Sequence, residues 1–143
     1  MKRYLAVDWG RRKIGLAVSD PFLEYSIPIE PILNTKNTFS NINKIIIKYS
    51  ITDIIVGLPY LSDGLQSQIC NQILNFIEEL RKFLEKCNLN ILISTQNEYR
   101  TTKEAKNRLT VDGLNKKSWA KYKDSYSAQI ILEEFLDNLK TLN

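Results

Sequence analysis

Two short apolar runs, residues 4–7 and 14–18, are separated by Asp8-Trp9-Gly10-Arg11-Arg12-Lys13, and this pattern restricts the opening of the chain to one shape. Apolar runs of strand length divided by a short Gly-containing turn form a β-hairpin. Alternation along the first strand puts Leu5 and Val7 on one face and Tyr4, Ala6 and Asp8 on the other. Asp8 therefore continues an apolar face at the end of its strand. A charge is tolerated there where the sheet opens, or where a cation compensates it. Aspartate also favours turns through local hydrogen bonds, so the hairpin alone leaves turn former and metal ligand as equal readings.

Beyond the hairpin, residues 25–33 read as a third extended run, and Pro28 and Pro31 suit an edge strand, which tolerates missing ladder donors. The spacing of Phe39, Ile42, Ile45 and Ile46 predicts a helix over Thr38–Tyr49. Asp53–Pro59 is an apolar strand closed by Gly57 and Pro59, of the kind buried on both faces. A long helix is expected over 65–86, striped by Ile69, Ile73, Phe76, Ile77, Leu80 and Leu84, and a further strand over 89–95. A short basic helix over 101–109, a lysine-rich surface loop over 110–123 and a final helix over 124–139 complete the order. A three-strand meander followed by βαβα implies an α/β fold, with a mixed five-stranded sheet and helices on its faces. Right-handed crossovers set the later strands parallel to the first. Ligands in such sheets gather at the carboxyl ends of the parallel strands, where Asp8 lies.

The 143 residues form one domain, 1–143, with a net charge of +4 and a pI near 9.0, compatible with a polyanionic partner. There is no histidine, which excludes Ser-His-Asp and Cys-His triads and imidazole metal sites. Chemistry must come from carboxylates, Lys, Arg, hydroxyls or a bound ion. Cys70 and Cys87 flank one helical pattern; their separation along it, roughly 25 Å, is far beyond disulfide reach. No signal core or membrane-length apolar run is present, so no membrane partner and a cytoplasmic location are expected.

Two further carboxylates stand near the same sheet end. Glu98 follows the last strand, where a glutamate near a helix start is also favoured by the helix dipole. Asp124 precedes Ala128 by four residues and Ile131 by seven, so it extends the apolar stripe of the final helix, completed by Leu132, Phe135 and Leu139. An N-cap would explain it equally. Carboxylates brought together repel unless a cation neutralises them, and a hard divalent ion, Mg²⁺ or Mn²⁺, is the simplest one. Such ions activate water and hold a phosphodiester without histidine. Basic residues cluster about this end: Arg11, Arg12 and Lys13 in the hairpin turn, Arg100, Lys103, Lys106 and Arg108 after Glu98, and Lys116, Lys117, Lys121 and Lys123 beside Asp124, with Trp119 and Tyr122 among them. Cations pair with phosphates and aromatic faces stack on bases, which makes Arg11, Arg12, Lys13, Arg100, Lys103, Lys116, Lys117, Trp119, Lys121 and Lys123 candidate nucleic-acid contacts.

Val7-Asp8-Trp9-Gly10 with Gly15, Ile55-Val56-Gly57-Leu58-Pro59 with Asp63-Gly64, Asn97-Glu98-Tyr99-Arg100-Thr101-Thr102, and Lys123-Asp124-Ser125 with Ala128 follow one another in the order found in the YqgF/RuvX family, which the chain resembles over nearly its full length. The resemblance implies an RNase H-like fold and a nuclease that matures the 5′ end of pre-16S rRNA or resolves Holliday junctions in DNA. It implies an acidic triad of Asp8, Glu98 and Asp124 as catalytic and metal-binding residues, with Asp63 and Gly64 in a supporting loop. The usual Asp-Glu-Arg of the second motif is Asn97-Glu98-Tyr99 here. The glutamate is kept, while a neighbouring carboxylate and a guanidinium are replaced, which bears on phosphate positioning and on a second ion. A homodimer would suit a two-fold junction. Two other readings are a binding module for RNA or the ribosome that has lost its activity, and an ATP-dependent kinase of the actin/hexokinase type. The second needs two domains around a cleft, and this chain has length for one.

Overall fold

The computed structural model describes residues 1–59, 68–98 and 120–141, with Glu98 described by its backbone. Five strands form one mixed sheet: β1 Tyr4–Asp8, β2 Lys13–Ser19, β3 Ser26–Leu33, β4 Asp53–Pro59 and β5 Leu92–Glu98, in the order β3-β2-β1-β4-β5. β1 pairs antiparallel with β2 and parallel with β4, and β5 extends the parallel half. The helices are α1 Thr38–Tyr49, α2 Gln68–Lys86 and α3 Tyr126–Thr141, the last preceded by a 3-10 turn, Lys123–Ser125. The mixed five-stranded sheet expected from the meander and the βα alternation is the sheet observed.

The period-2 alternation of the strands divides the core in two. Leu5, Val7, Ile14, Leu16, Val18, Ile54 and Val56 point to one face and pack against Ile42 and Ile46 of α1 and Ile73, Phe76, Ile77, Leu80 and Leu84 of α2. Tyr4, Ala6, Ala17 and Ile55 point to the other and meet Ala128, Ile131, Leu132 and Leu136 of α3. Each fully buried Leu or Ile contributes roughly 1.5–3 kcal/mol through removal of apolar surface from water. The small side chains Ala6 and Ala17 let α3 settle directly onto the sheet. α1 ends where Ser50 turns left-handed (φ 55°) and donates its amide back to Ile46 and Ile47, and Ile51 closes onto Ile46 at 3.0 Å. The chain is thereby redirected into β4.

Several boundaries differ from expectation. β5 begins at Leu92, three residues later than the apolar run at 89–95 suggests, because Leu89 is taken up in the close of α2, where its amide bonds Leu84 at 3.0 Å. Glu98 is therefore the last residue of the strand rather than a residue beyond it. Residues 120–122 are helical rather than loop, and Asp124 lies in the 3-10 turn, with the α-helix starting at Tyr126. The expected helix over 101–109, most of the loop over 110–123, and the Asp63-Gly64 loop lie outside the described residues. Cys70 is buried and Cys87 exposed, and neither is in a disulfide. Among the described residues no helix is long and apolar enough to cross a membrane.

Candidate active site

The hairpin register places Asp8 opposite Gly15. By strand alternation both belong to the α3 side of the sheet, with Tyr4, Ala6 and Ala17. Gly15 is the reason the final helix can begin here. A Cβ at that position would fall on the carbonyl oxygen of Asp124, 2.9 Å from its carbonyl carbon and 3.2 Å from the Cα of Ser125. The backbone of Asp124 thus rests on the residue that pairs with Asp8.

Ser125 fixes this contact. β2 and β3 pair Ile14 with Ile32 but Leu16 with Ile29, so two residues of β3, Glu30 and Pro31, oppose Gly15 alone. This is the count of a β-bulge, and Pro31 has no ladder donor to lose there. The fully buried hydroxyl of Ser125 enters the gap, donating to the Ile29 carbonyl at 2.6 Å and accepting from the Leu16 amide at 3.1 Å. It thereby replaces a ladder hydrogen bond with a bridge that ties the turn carrying Asp124 to two strands.

Lys13, the first residue of β2, reaches Asp124 as an ion pair, Nζ to Oδ2 3.5 Å, with both side chains partly exposed. Arg11 and Arg12 are exposed in the hairpin turn, and Arg11 Nε donates to Gln72 Oε1 at 3.2 Å. The turn itself is held by Asn34, which donates to the Gly10 carbonyl at 2.8 Å. Lys121 and Lys123 are exposed beside Asp124, and Lys121 Nζ lies 5.2 Å from the centre of the Tyr122 ring. Arg100, Lys103, Lys106, Arg108, Lys116, Lys117 and Trp119 lie outside the described residues.

Glu98 occupies the carboxyl end of β5, paired with Pro59, at the same end of the sheet as Asp8. β4 lies between β1 and β5, so two strand spacings, roughly 10 Å, separate them. Among the described residues no group of three or more His, Cys, Asp or Glu side chains stands close enough to hold a metal ion. What the fold brings together there is the backbone of Asp124 and Gly15, the residue that pairs with Asp8. Gly15 and Ser125, the two residues that make this contact possible, carry no chemistry of their own. The only sequence signal for them was their place inside motifs that also hold an acidic residue.

Comparison with known proteins bears on the family and the fold. Residues 2–138 match the model of the family described as RuvX, Holliday junction resolvase. A protein of Rickettsia rickettsii (strain Sheila Smith) named "Putative pre-16S rRNA nuclease" is 34% identical over 140 residues, covering 96% of this chain and 88% of that one. The same name is carried by a Rickettsia canadensis protein that is 33% identical over 138 residues, covering 95% of this chain and 86% of that one. Among solved structures, T. thermophilus RuvC in complex with a Holliday junction substrate aligns with a TM-score of 0.59 at 8% identity, covering 99% of this chain and 98% of that one. The Fowlpox virus resolvase bound to Holliday junction DNA gives 0.57 at 18% identity, covering 96% of this chain and 98% of that one. At these identities the likeness is one of fold.

Proposed function

Since the chain belongs to the RuvX family, we propose that it is a nuclease that hydrolyses phosphodiester bonds of structured nucleic acid, with the 5′ end of pre-16S rRNA as its substrate. The observation that carries the reading is the seating of Asp124 on Gly15, the partner of Asp8. The name of relatives at 34% identity over almost the whole chain supports RNA as the substrate. The description of the matching family supports a four-way DNA junction as the second reading.

The residues present suit a hard divalent cation. Asp8 and Asp124 offer oxygen donors, the donor type that Mg²⁺ and Mn²⁺ take, and the ammonium of Lys13 already sits where positive charge is wanted. In this proposal Asp8, Asp124 and Glu98 would hold the ion. When bound, such an ion supplies an activated water and charge neutralisation at the phosphoryl group. The protein supplies the positioning. Gly15 and Ser125 set the place of Asp124, the β1–β2 pairing sets that of Asp8, and Arg11, Arg12, Lys121 and Lys123 attract the phosphates on either side. Lys13, which pairs with Asp124, would be released to contact the substrate backbone were that carboxylate to hold an ion.

Cleavage of pre-16S leader RNA and of a four-way DNA junction, side by side with Mg²⁺ or Mn²⁺, tests the substrate. The leader is expected to be cut at the mature 5′ end. Cutting of the junction alone would select the second reading, and no cutting of either would remove the nuclease assignment.

A further inference from the structure

A cavity of about 440 Å³ opens at the same end of the sheet as Asp8, on the side of α1 and α2, and no step described above uses it. Resting on the nuclease reading, we propose that it receives one unpaired nucleobase of the substrate strand, close to the scissile phosphate, and so sets where the strand is cut.

Position is the first argument. Trp9 lines the cavity and directly follows Asp8. Asp8 belongs to the α3 side of the sheet, whereas Trp9 packs against the core on the α1 and α2 side. Carboxylate and cavity are thus the two sides of one strand end, joined by a single peptide. A nucleic acid strand laid across this edge, with its phosphate at Asp8, brings a neighbouring base to the mouth of the cavity.

Chemistry is the second. The walls are three aromatic rings: Phe39 and Phe76 stack with centroids 5.7 Å apart and planes 28° from parallel, and Trp9 lies 6.3 Å from Phe76. Phe39 also meets Phe83, with centroids 5.6 Å apart, and Trp9, only partly buried, is the ring left for a base to stack on. Asn75 and Lys36 stand exposed at the rim, and Arg11 is tethered beside it through Gln72. The lining also holds one acid, Glu79, which accepts from Asn75 Nδ2 at 3.4 Å. Glu79, exposed at the mouth like Asn75, disfavours a phosphate there, while the aromatic lining and the cations Lys36 and Arg11 stand side by side. They suit a neutral base inside with its phosphates outside, against Lys36 and Arg11. The volume lies within the range of small-ligand sites, roughly 300–1,000 Å³. A base paired in a duplex cannot enter, so the site selects single-stranded or branched substrate.

The test is an abasic scan. Single-stranded leader RNA with one abasic nucleotide at successive positions is bound to the Asp8→Asn protein, which prevents turnover, and affinity is read by fluorescence anisotropy. One position near the cleavage site should weaken binding about ten-fold, as expected for one lost stacking contact, and the others little. Trp9→Ala in the same background should erase that position's effect. Because Trp9→Ala removes core contacts, Asn75→Leu, which fills the exposed mouth from the surface of α2, provides an independent variant with the same expected result. Uniform tolerance of abasic sites by a protein that binds and, as parent, cleaves RNA would overturn the cavity proposal and leave the nuclease intact. The same holds if the position's effect survives Asn75→Leu. A parent that neither binds nor cleaves RNA or junction DNA would overturn both.

Discussion

Asp124 lies with its peptide carbonyl over the bare Cα of Gly15, closer than any side-chain carbon at position 15 would permit. The pairing of Gly15 with Asp8 turns this packing detail into a condition for the active site.

Gly15→Ala should therefore act on the site more than on the fold. The added methyl meets the backbone of the 3-10 turn, which must shift to admit it, and overpacking of this kind costs about 1–3 kcal/mol. A thermal melt should show a folded, destabilised protein. Cleavage should fall much further than the loss of stability explains, because the 3-10 turn lifts and carries Asp124 with it.

Ser125→Ala removes the hydroxyl that bridges Leu16 and Ile29 and leaves the buried Leu16 amide and the part-buried Ile29 carbonyl without that partner. The buried amide is the costlier loss, about 1–3 kcal/mol. Denaturant unfolding should show a loss in that range, and activity should fall with kcat affected more than KM, since the residue positions Asp124 without touching substrate. A variant with unchanged kcat would mean that the 3-10 turn holds its place without this bridge.

Lys13→Gln should move two quantities in opposite directions. The ion pair with Asp124 is partly exposed, so its loss changes stability by no more than about 1 kcal/mol. Removing a competing cation from the carboxylate should tighten divalent-ion binding, measured by calorimetry. Removing a phosphate contact should weaken nucleic-acid binding and lower its salt slope by about one. A fall in both affinities would contradict an exchange between ion and substrate.

Asp20 gives a pH dependence outside the site. Its carboxylate accepts from the amides of Tyr25 and Glu24, both at 2.7 Å, and of Phe22 at 3.1 Å. Led by the Tyr25 bond, these hold its pKa below the ordinary 3.8. A depressed folded pKa stabilises above the unfolded value, and the contribution is lost as pH falls through the folded one. The amide shifts of Glu24 and Tyr25 should titrate with a midpoint below 3.8, and Asp20→Asn should abolish that titration.

The sequence made the elements legible where a pattern was long or sharply bounded. α1 and β4 match their expected limits because Phe39 to Ile46 follow a helical period and because Gly57 and Pro59 close the apolar run. β5 is displaced because Leu89 and Ile91 are apolar for a different reason: they cover the end of α2 before the strand begins. At the site, Asp8 and Asp124 were legible as charges on apolar faces. The stripe argument for Asp124 assumed an α-helix where a 3-10 turn stands, yet reached the same side of the sheet, since one turn of either helix ends near the same strand. Gly15 and Ser125 were not legible as determinants. Their effect depends on a bulge in β3 and on a contact across 109 residues, which no local spacing encodes.

In the proposed function Asp8 and Asp124, with Glu98, hold divalent cations in common. A crystal structure of the protein soaked in Mn²⁺, with the ion located by its anomalous scattering, tests it most directly. The expected result is Mn²⁺ bound by carboxylate oxygens of both Asp8 and Asp124, with Lys13 swung away from Asp124. Saturating Mn²⁺ that leaves the two carboxylates without a shared ion, and Lys13 still paired to Asp124, would contradict it.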